Sequence, residues 1–185
     1  MTTLIALLRG INVGGRHPLS MADLRAVAAA AGGREVRTYI QSGNLVFAHP
    51  TQSPERLTVE LEERLAAVAG FAVPVILRTA EDLAGVVRDN PFAEREPTKL
   101  LVAFLAEAPP AKALDSIDRT LFAPEEFALK GREVYLHLPA GAGRAKLPRA
   151  LDAVLSTPST ARNWRTVIKL LELARDTACA GPQVT

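Results

Sequence analysis

Residues 4–8, Leu4-Ile5-Ala6-Leu7-Leu8, are apolar at every position, and so are residues 100–105, Leu100-Leu101-Val102-Ala103-Phe104-Leu105. Successive side chains of a strand point to opposite faces, so a strand without a polar position needs cover on both. A lone sheet with one face in water is thereby excluded. Each run also heads a similar series of elements, which suggests two packed units rather than one.

The first series reads clearly. After the strand at residues 4–8, Ser20 is placed to cap a helix, with Asp23 in the capping-box position and Met21, Leu24, Val27, Ala28 and Ala31 at helical spacing. Gly32-Gly33 ends that helix. Residues 35–40 and 45–48 alternate and are rich in β-branched side chains, with Gln41-Ser42-Gly43-Asn44 between them as a hairpin turn. Ser53-Pro54-Glu55 opens a second helix that runs to about Ala69, and residues 71–77 form a fourth strand. Strand, helix, strand, strand, helix, strand is the split βαβ order of ferredoxin-like domains.

The second series follows a helix capped by Thr79 and a polar connector. Strands are expected at residues 99–106, 126–129 and 133–138, and helices at residues 111–121, 147–155 and 160–178. The expected architecture is α+β: two ferredoxin-like units packed together, with an additional C-terminal helix. The boundaries are residues 1–78 for the first unit, 79–98 for a helix and connector, 99–178 for the second unit with its C-terminal helix, and 179–185 for a tail. The second face of the apolar strands is to be covered by the other unit or by a partner copy, so a monomer or a homodimer fits equally.

Composition narrows the function classes. In 185 residues, 48% are hydrophobic and 23% charged, the balance of a globular chain. No apolar run is long enough to span a bilayer, and the start MTTLIALLRG lacks the basic region and apolar length of a signal peptide. Cys179 stands alone, so no intrachain disulfide is possible and a reducing cytoplasm is the expected location. A net charge of +2 is too small to argue for nucleic acid by itself. His17, His49 and His137 lack the paired spacing of zinc ligands, and no motif calls for a cofactor.

The residues that leave the first strand suggest a site. Leu8-Arg9-Gly10-Ile11-Asn12-Val13-Gly14-Gly15 places three glycines, an asparagine and an arginine in one short loop. In a ferredoxin-like sheet the first and third strands are antiparallel neighbours, which brings this loop beside the hairpin turn. Glycine backbone N–H groups can form an anion-binding nest, Arg9 adds a charged fork, and Asn12, Ser42 and Asn44 add directed hydrogen bonds. The plainer reading makes Gly14-Gly15 a turn, Asn12 a left-handed residue and Arg9 a surface charge. His17 follows the loop and reads either as a site residue or as a surface histidine.

The last expected helix contributes a third stretch, Thr160-Ala161-Arg162-Asn163-Trp164-Arg165-Thr166-Val167-Ile168-Lys169. Helical spacing puts Trp164, Val167, Ile168 and Leu171 on a core face and Arg162, Arg165, Thr166 and Lys169 opposite. A cation in a first helical turn calls for an anionic neighbour, so Arg162 and Asn163 are candidates to approach the same anion as Arg9.

LLRGINVGG, MADL, TYIQSGNLVF, an Asn-Pro-Phe, Lys-Leu after a glycine loop, and TARNWRTVIKL together resemble the bacterial family termed domain of unknown function 1697. The resemblance runs from Leu4 to about Leu173. It implies two ferredoxin-like units and carries no established activity, substrate or cofactor. The positions that match are Arg9, Gly10, Asn12, Gly14, Gly15, Tyr39, Ser42, Gly43, Asn44, Arg162, Asn163, Trp164 and Thr166. Arg165 stands where the family usually has Asn, and Ala145 where a Ser commonly precedes Lys146-Leu147.

Two function classes remain. One is a protein that binds a small anionic ligand of phosphate or nucleotide type, with any reaction unassigned, at Arg9, Asn12, Gly14, Gly15, Ser42, Asn44, Arg162 and Asn163. The alternative is a nucleic-acid-binding module that uses basic faces at residues 144–149 (Arg144, Lys146, Arg149) and 162–169. Strand-borne aromatics of the kind RNA-binding sheets use are scarce at 5% aromatic content, which favours the small ligand. Whether a reaction is catalysed is left open, since Ser42 has no evident base.

Overall fold

The computed structural model describes residues 1–12, 14, 17–110 and 112–179. The chain is mixed α+β and divides into two compact units, one formed by residues 1–85 with the chain from Lys169 onward, the other by residues 86–168. Each contains one four-stranded antiparallel sheet.

The first sheet holds β1 (Thr2–Leu8), β2 (Arg34–Thr38), β3 (Asn44–His49) and β4 (Val75–Thr79) in the order β2-β3-β1-β4. Helix α1 (Met21–Ala30) lies between β1 and β2 in the chain, and α2 (Pro54–Ala69) between β3 and β4. The helix starts follow from their caps. Ser20 Oγ accepts from the Asp23 N–H at 3.0 Å, and Ser53 Oγ accepts from the Arg56 N–H at 3.4 Å, with Pro54 in the first turn where its missing N–H costs nothing. Leu4, Ala6, Leu8, Leu45, Phe47 and Leu77 form the helix-facing core with Leu24, Leu57, Leu61 and Leu65. The other face of the same strands, carrying Ile5, Leu7, Asn44, Val46, Ile76 and Arg78, is also buried. Both faces of the apolar β1 are thus out of water, as its composition requires.

Helix α3 (Ala80–Arg88) starts on a reciprocal cap, with Thr79 Oγ1 accepting from the Asp82 N–H and Asp82 Oδ2 accepting from the Thr79 N–H. The second sheet holds β5 (Leu100–Leu105), β6 (Glu126–Lys130), β7 (Glu133–His137) and β8 (Ser159–Asn163) in the order β6-β7-β5-β8, which repeats the order of the first. Helix α4 (Leu147–Val154) precedes β8, and α5 (Trp164–Cys179) ends the described chain. Leu105, Phe127, Val134, Leu136, Leu147 and Leu151 centre its core.

Two expected helices differ. Residues 111–121 do not form an α-helix; Ala111 lies outside the described residues, and the rest run through turns into a 3-10 helix at Arg119–Phe122. Short-range bonds explain this: Asp115, Ile117 and Leu121 donate their N–H three residues back, and Asp118 Oδ1 takes both the N–H and the hydroxyl of Thr120. Asp and Thr side chains here compete with the helical ladder. The helix expected over residues 160–178 is instead a strand followed by a helix. Residues 159–163 pair with β5 (Val102 opposite Arg162, Phe104 opposite Thr160), and α5 begins only at Trp164.

Candidate functional site

The exit of β1 and the β2–β3 turn meet, as antiparallel pairing of β1 with β3 requires; Leu7 stands opposite Asn44. The Leu8 N–H donates to the Gly43 carbonyl at 2.8 Å, and the Arg9 N–H to the Pro74 carbonyl at 3.0 Å. Gly43 has φ +74, and a Cβ there would lie 2.7 Å from Leu8 Cβ and 3.0 Å from Ile11 Cδ1. Only glycine lets the turn sit this close.

Asn12 joins the loops. Its φ is +54, its Nδ2 donates to the carbonyls of Leu19 and Gln41, each at 2.9 Å, and its Oδ1 accepts from the Leu19 N–H at 3.0 Å. The carboxamide is engaged at both ends, so it fastens the two loops together. Asn44 is fully buried, and its Nδ2 donates to the Tyr39 carbonyl and to Ser42 Oγ. Asn12 and Asn44, expected as ligand contacts, are thus engaged in holding the loops.

Arg9, Gly10 and Gly14 are exposed, and Ser42 is half-buried. Gly10 (φ +75) and Gly14 (φ +58) share the left-handed region with Asn12, and a Cβ on either glycine would meet nothing within 4 Å. Their backbone shape, not crowding, demands glycine. Gly15 lies outside the described residues. His17, also at positive φ, places Nδ1 3.2 Å from the Gly10 carbonyl and its ring 4.5 Å from that of Phe71.

Sequence reasoning missed Ile40. It is 51% exposed at the tip beside Gln41, with φ +49, a conformation β-branched side chains resist. No composition signal marks it, because Ile reads as strand.

Arg162 and Asn163 have other tasks than those expected. Arg162 lies within β8, is 7% exposed, and donates from Nη1 to Thr160 Oγ1 and to the Ala161 carbonyl. Burial pushes its guanidinium down to about 10. Asn163 Oδ1 accepts from the Thr166 N–H at 2.8 Å and caps α5. The expected basic helix face is not formed: Arg162 is outside the helix, Thr166 is buried, and Lys169 is bonded to Glu172 at 2.9 Å. In the first unit Arg78 repeats the pattern of Arg162. It precedes the capping residue Thr79, is 2% exposed, and donates from Nη1 to the preceding carbonyl of Leu77.

Among the described residues no group of three His, Cys, Asp or Glu side chains is poised to hold a metal ion, and no helix is long and apolar enough to cross a membrane.

The repeated strand order marks a two-unit α+β chain, and a solved structure has a similar fold. The conserved bacterial protein of Streptococcus pneumoniae is similar over 95% of this chain and 99% of its own, with a TM-score of 0.77 at 23% identity. That likeness speaks for the fold. The family model described as Protein of unknown function (DUF1697) matches residues 1–135, and the chain belongs to that family. The matched span includes both loops of the candidate site; TARNWRTVIKL lies beyond it. Comparison with curated proteins gives no significant match.

Proposed function

We propose that the protein binds a small anionic ligand, phosphate- or nucleotide-like, at the exposed edge where β1 ends and the β2–β3 turn begins. The observation that carries this reading is the backbone at Gly10, Asn12 and Gly14. Gly10, Asn12 and Gly14 take left-handed φ values of +75, +54 and +58, and at the two glycines no neighbour lies where a Cβ would point. Closely spaced left-handed residues are a backbone shape from which N–H nests for anions are built. Arg9 would supply the charge and Ser42 a hydroxyl, while Asn12 and Asn44 hold the loops. Gly15 belongs to the same glycine run. Arg162 and Asn163 are not among the contacts proposed, since each is engaged within the second unit. The strand orders support reading both units as ferredoxin-like, and the exposed, free Cys179 suits a reducing cytoplasm.

The test is a thermal-shift and titration series with inorganic phosphate, nucleoside monophosphates and short oligonucleotides at two salt concentrations. One small anion should stabilise the protein. Arg9→Gln should weaken its binding about ten-fold or more, as expected for a charge-assisted bond of about 1.5–3 kcal/mol. Oligonucleotide binding with a steep salt slope would replace this reading by the nucleic-acid one. Indifference to every small anion would end it.

A further inference from the structure

The second unit carries a groove of about 480 Å³ walled by Pro91, Phe92, Phe122, Pro124 and Phe127. That volume is in the range that small ligands occupy, roughly 300–1,000 Å³. The Asn90 side chain shapes one wall, its Oδ1 accepting from the Phe92 N–H at 2.9 Å.

Arg119 also lines the groove. Its guanidinium carbon lies 3.9 Å from the centroid of the Phe127 ring, and Nη1 donates to the Phe127 carbonyl at 2.8 Å. Ring and carbonyl fix the fork while using only part of its donor set. Two carboxylates share the lining, and both are engaged. Glu125 accepts from the N–H groups of Lys146 and Leu147 at the start of α4, at 3.2 and 2.9 Å. Glu126 Oε1 accepts from Arg95 Nη2 at 3.1 Å and lies 3.0 Å from His137 Nδ1. Among the described residues no carboxylate pairs with Arg119, so it is the cation of the groove lining without an ion-pair partner.

We propose that this groove binds a small aromatic carboxylate, with its ring against Phe92 and Phe122 and its carboxylate on Arg119. Phenylalanine and proline walls favour a flat apolar body, and the planar guanidinium matches a carboxylate with two parallel bonds. A single negative charge matches the one cation in the lining. A phosphate dianion would bring a second charge toward Glu125 and Glu126, which disfavours it.

The experiment titrates the isotope-labelled full chain with naphthoate and with the matched neutral alcohol, naphthalenemethanol, followed by backbone amide shifts. Naphthoate should shift amides over residues 119–128 and bind about ten-fold or more tightly than the alcohol, the scale of one charge-assisted pair. Arg119→Gln should remove that advantage, so that both probes bind with the alcohol's affinity, whatever the Tm loses with the bond to the Phe127 carbonyl. Phe122→Ala should weaken both probes. Equal affinity for the two probes overturns the proposal. So does naphthoate binding that survives either substitution, or shifts confined to other residues.

Discussion

Gly43 and Gly10 have nearly the same φ and opposite surroundings, so they separate two reasons for glycine. Both sit near φ +75, but a Cβ on Gly43 would press on Leu8 and Ile11, whereas one on Gly10 meets open space. Gly43→Ala should therefore cost the left-handed penalty of about 1–2 kcal/mol plus an overpacking term of about 1–3 kcal/mol, and Gly10→Ala only the first. Urea titration of the two variants checks the difference. Ile40 tests strain directly, being exposed and β-branched at φ +49. Ile40→Asn should stabilise the chain by about 1 kcal/mol, because Asn tolerates this region; an unchanged or lower midpoint contradicts that account. At this scale the sequence was legible where a residue type has one main use. Ser20, Ser53 and Thr79 announced their helix starts. Asn12 and Asn44 did not announce theirs, since they bond chiefly to backbone carbonyls, which every residue offers.

At the scale of elements, β8 shows why a strand can be missed. Its inward positions are Thr160 and Arg162, so the apolar alternation that marks other strands is absent, and the segment merges by eye with the helix after it. The start of α5 then shifts, and with it the stripe it buries. Thr166, Val167, Leu170, Leu171, Ala174 and Thr177 are buried, and Trp164 is only half-buried at the edge of that stripe. Trp164→Ala should cost about 2 kcal/mol rather than the ~3–5 kcal/mol of a fully buried Trp. A loss at the upper end in thermal denaturation would restore it to the core. Tyr135 on β7 donates its hydroxyl to the Val86 carbonyl in α3 at 3.0 Å, within the second unit. Burial first, then the charges of Glu133 and Asp89, raise its pKa far above the ordinary value. The neutral phenol is thus kept in the fold while the unfolded chain ionises near its ordinary value of about 10. The associated stability is fully present below that pH and is lost as pH rises beyond it. Tyr135→Phe should cost about 1 kcal/mol at pH near 8 and should flatten the fall in stability above pH of about 10. Parallel pH profiles for the two proteins would contradict the assignment.

For the whole molecule, the repeated strand order is the organising fact, and the two repeats are filled differently. The first crossover of the first unit is a capped α-helix, while its counterpart in the second is a series of turns and a 3-10 helix. Arg78 and Arg162 mark the repeat most plainly, each buried one position before a helix-capping residue. This kinship was hidden in the sequence because the surrounding residues, Val75-Ile76-Leu77 and Ser159-Thr160-Ala161, share no chemistry. Chain order also misleads about membership, since the chain from Lys169 belongs with the first unit although it follows the whole of the second. The first unit is therefore not a contiguous piece that can be cut free. Leu170, Leu171, Ala174 and Thr177 are all buried side chains that a chain ending at Ile168 would lack. The two leucines alone are worth about 1.5–3 kcal/mol each, a large part of the roughly 5–15 kcal/mol by which a typical domain is stable. Ending the chain at Ile168 should abolish the cooperative melt and expose apolar surface to a fluorescent hydrophobic dye. Substitution of the exposed Glu172 or Arg175 by Ala should change stability by no more than about 0.5 kcal/mol. A shortened chain that still melts cooperatively near the full-length Tm would show that the first unit is complete without α5.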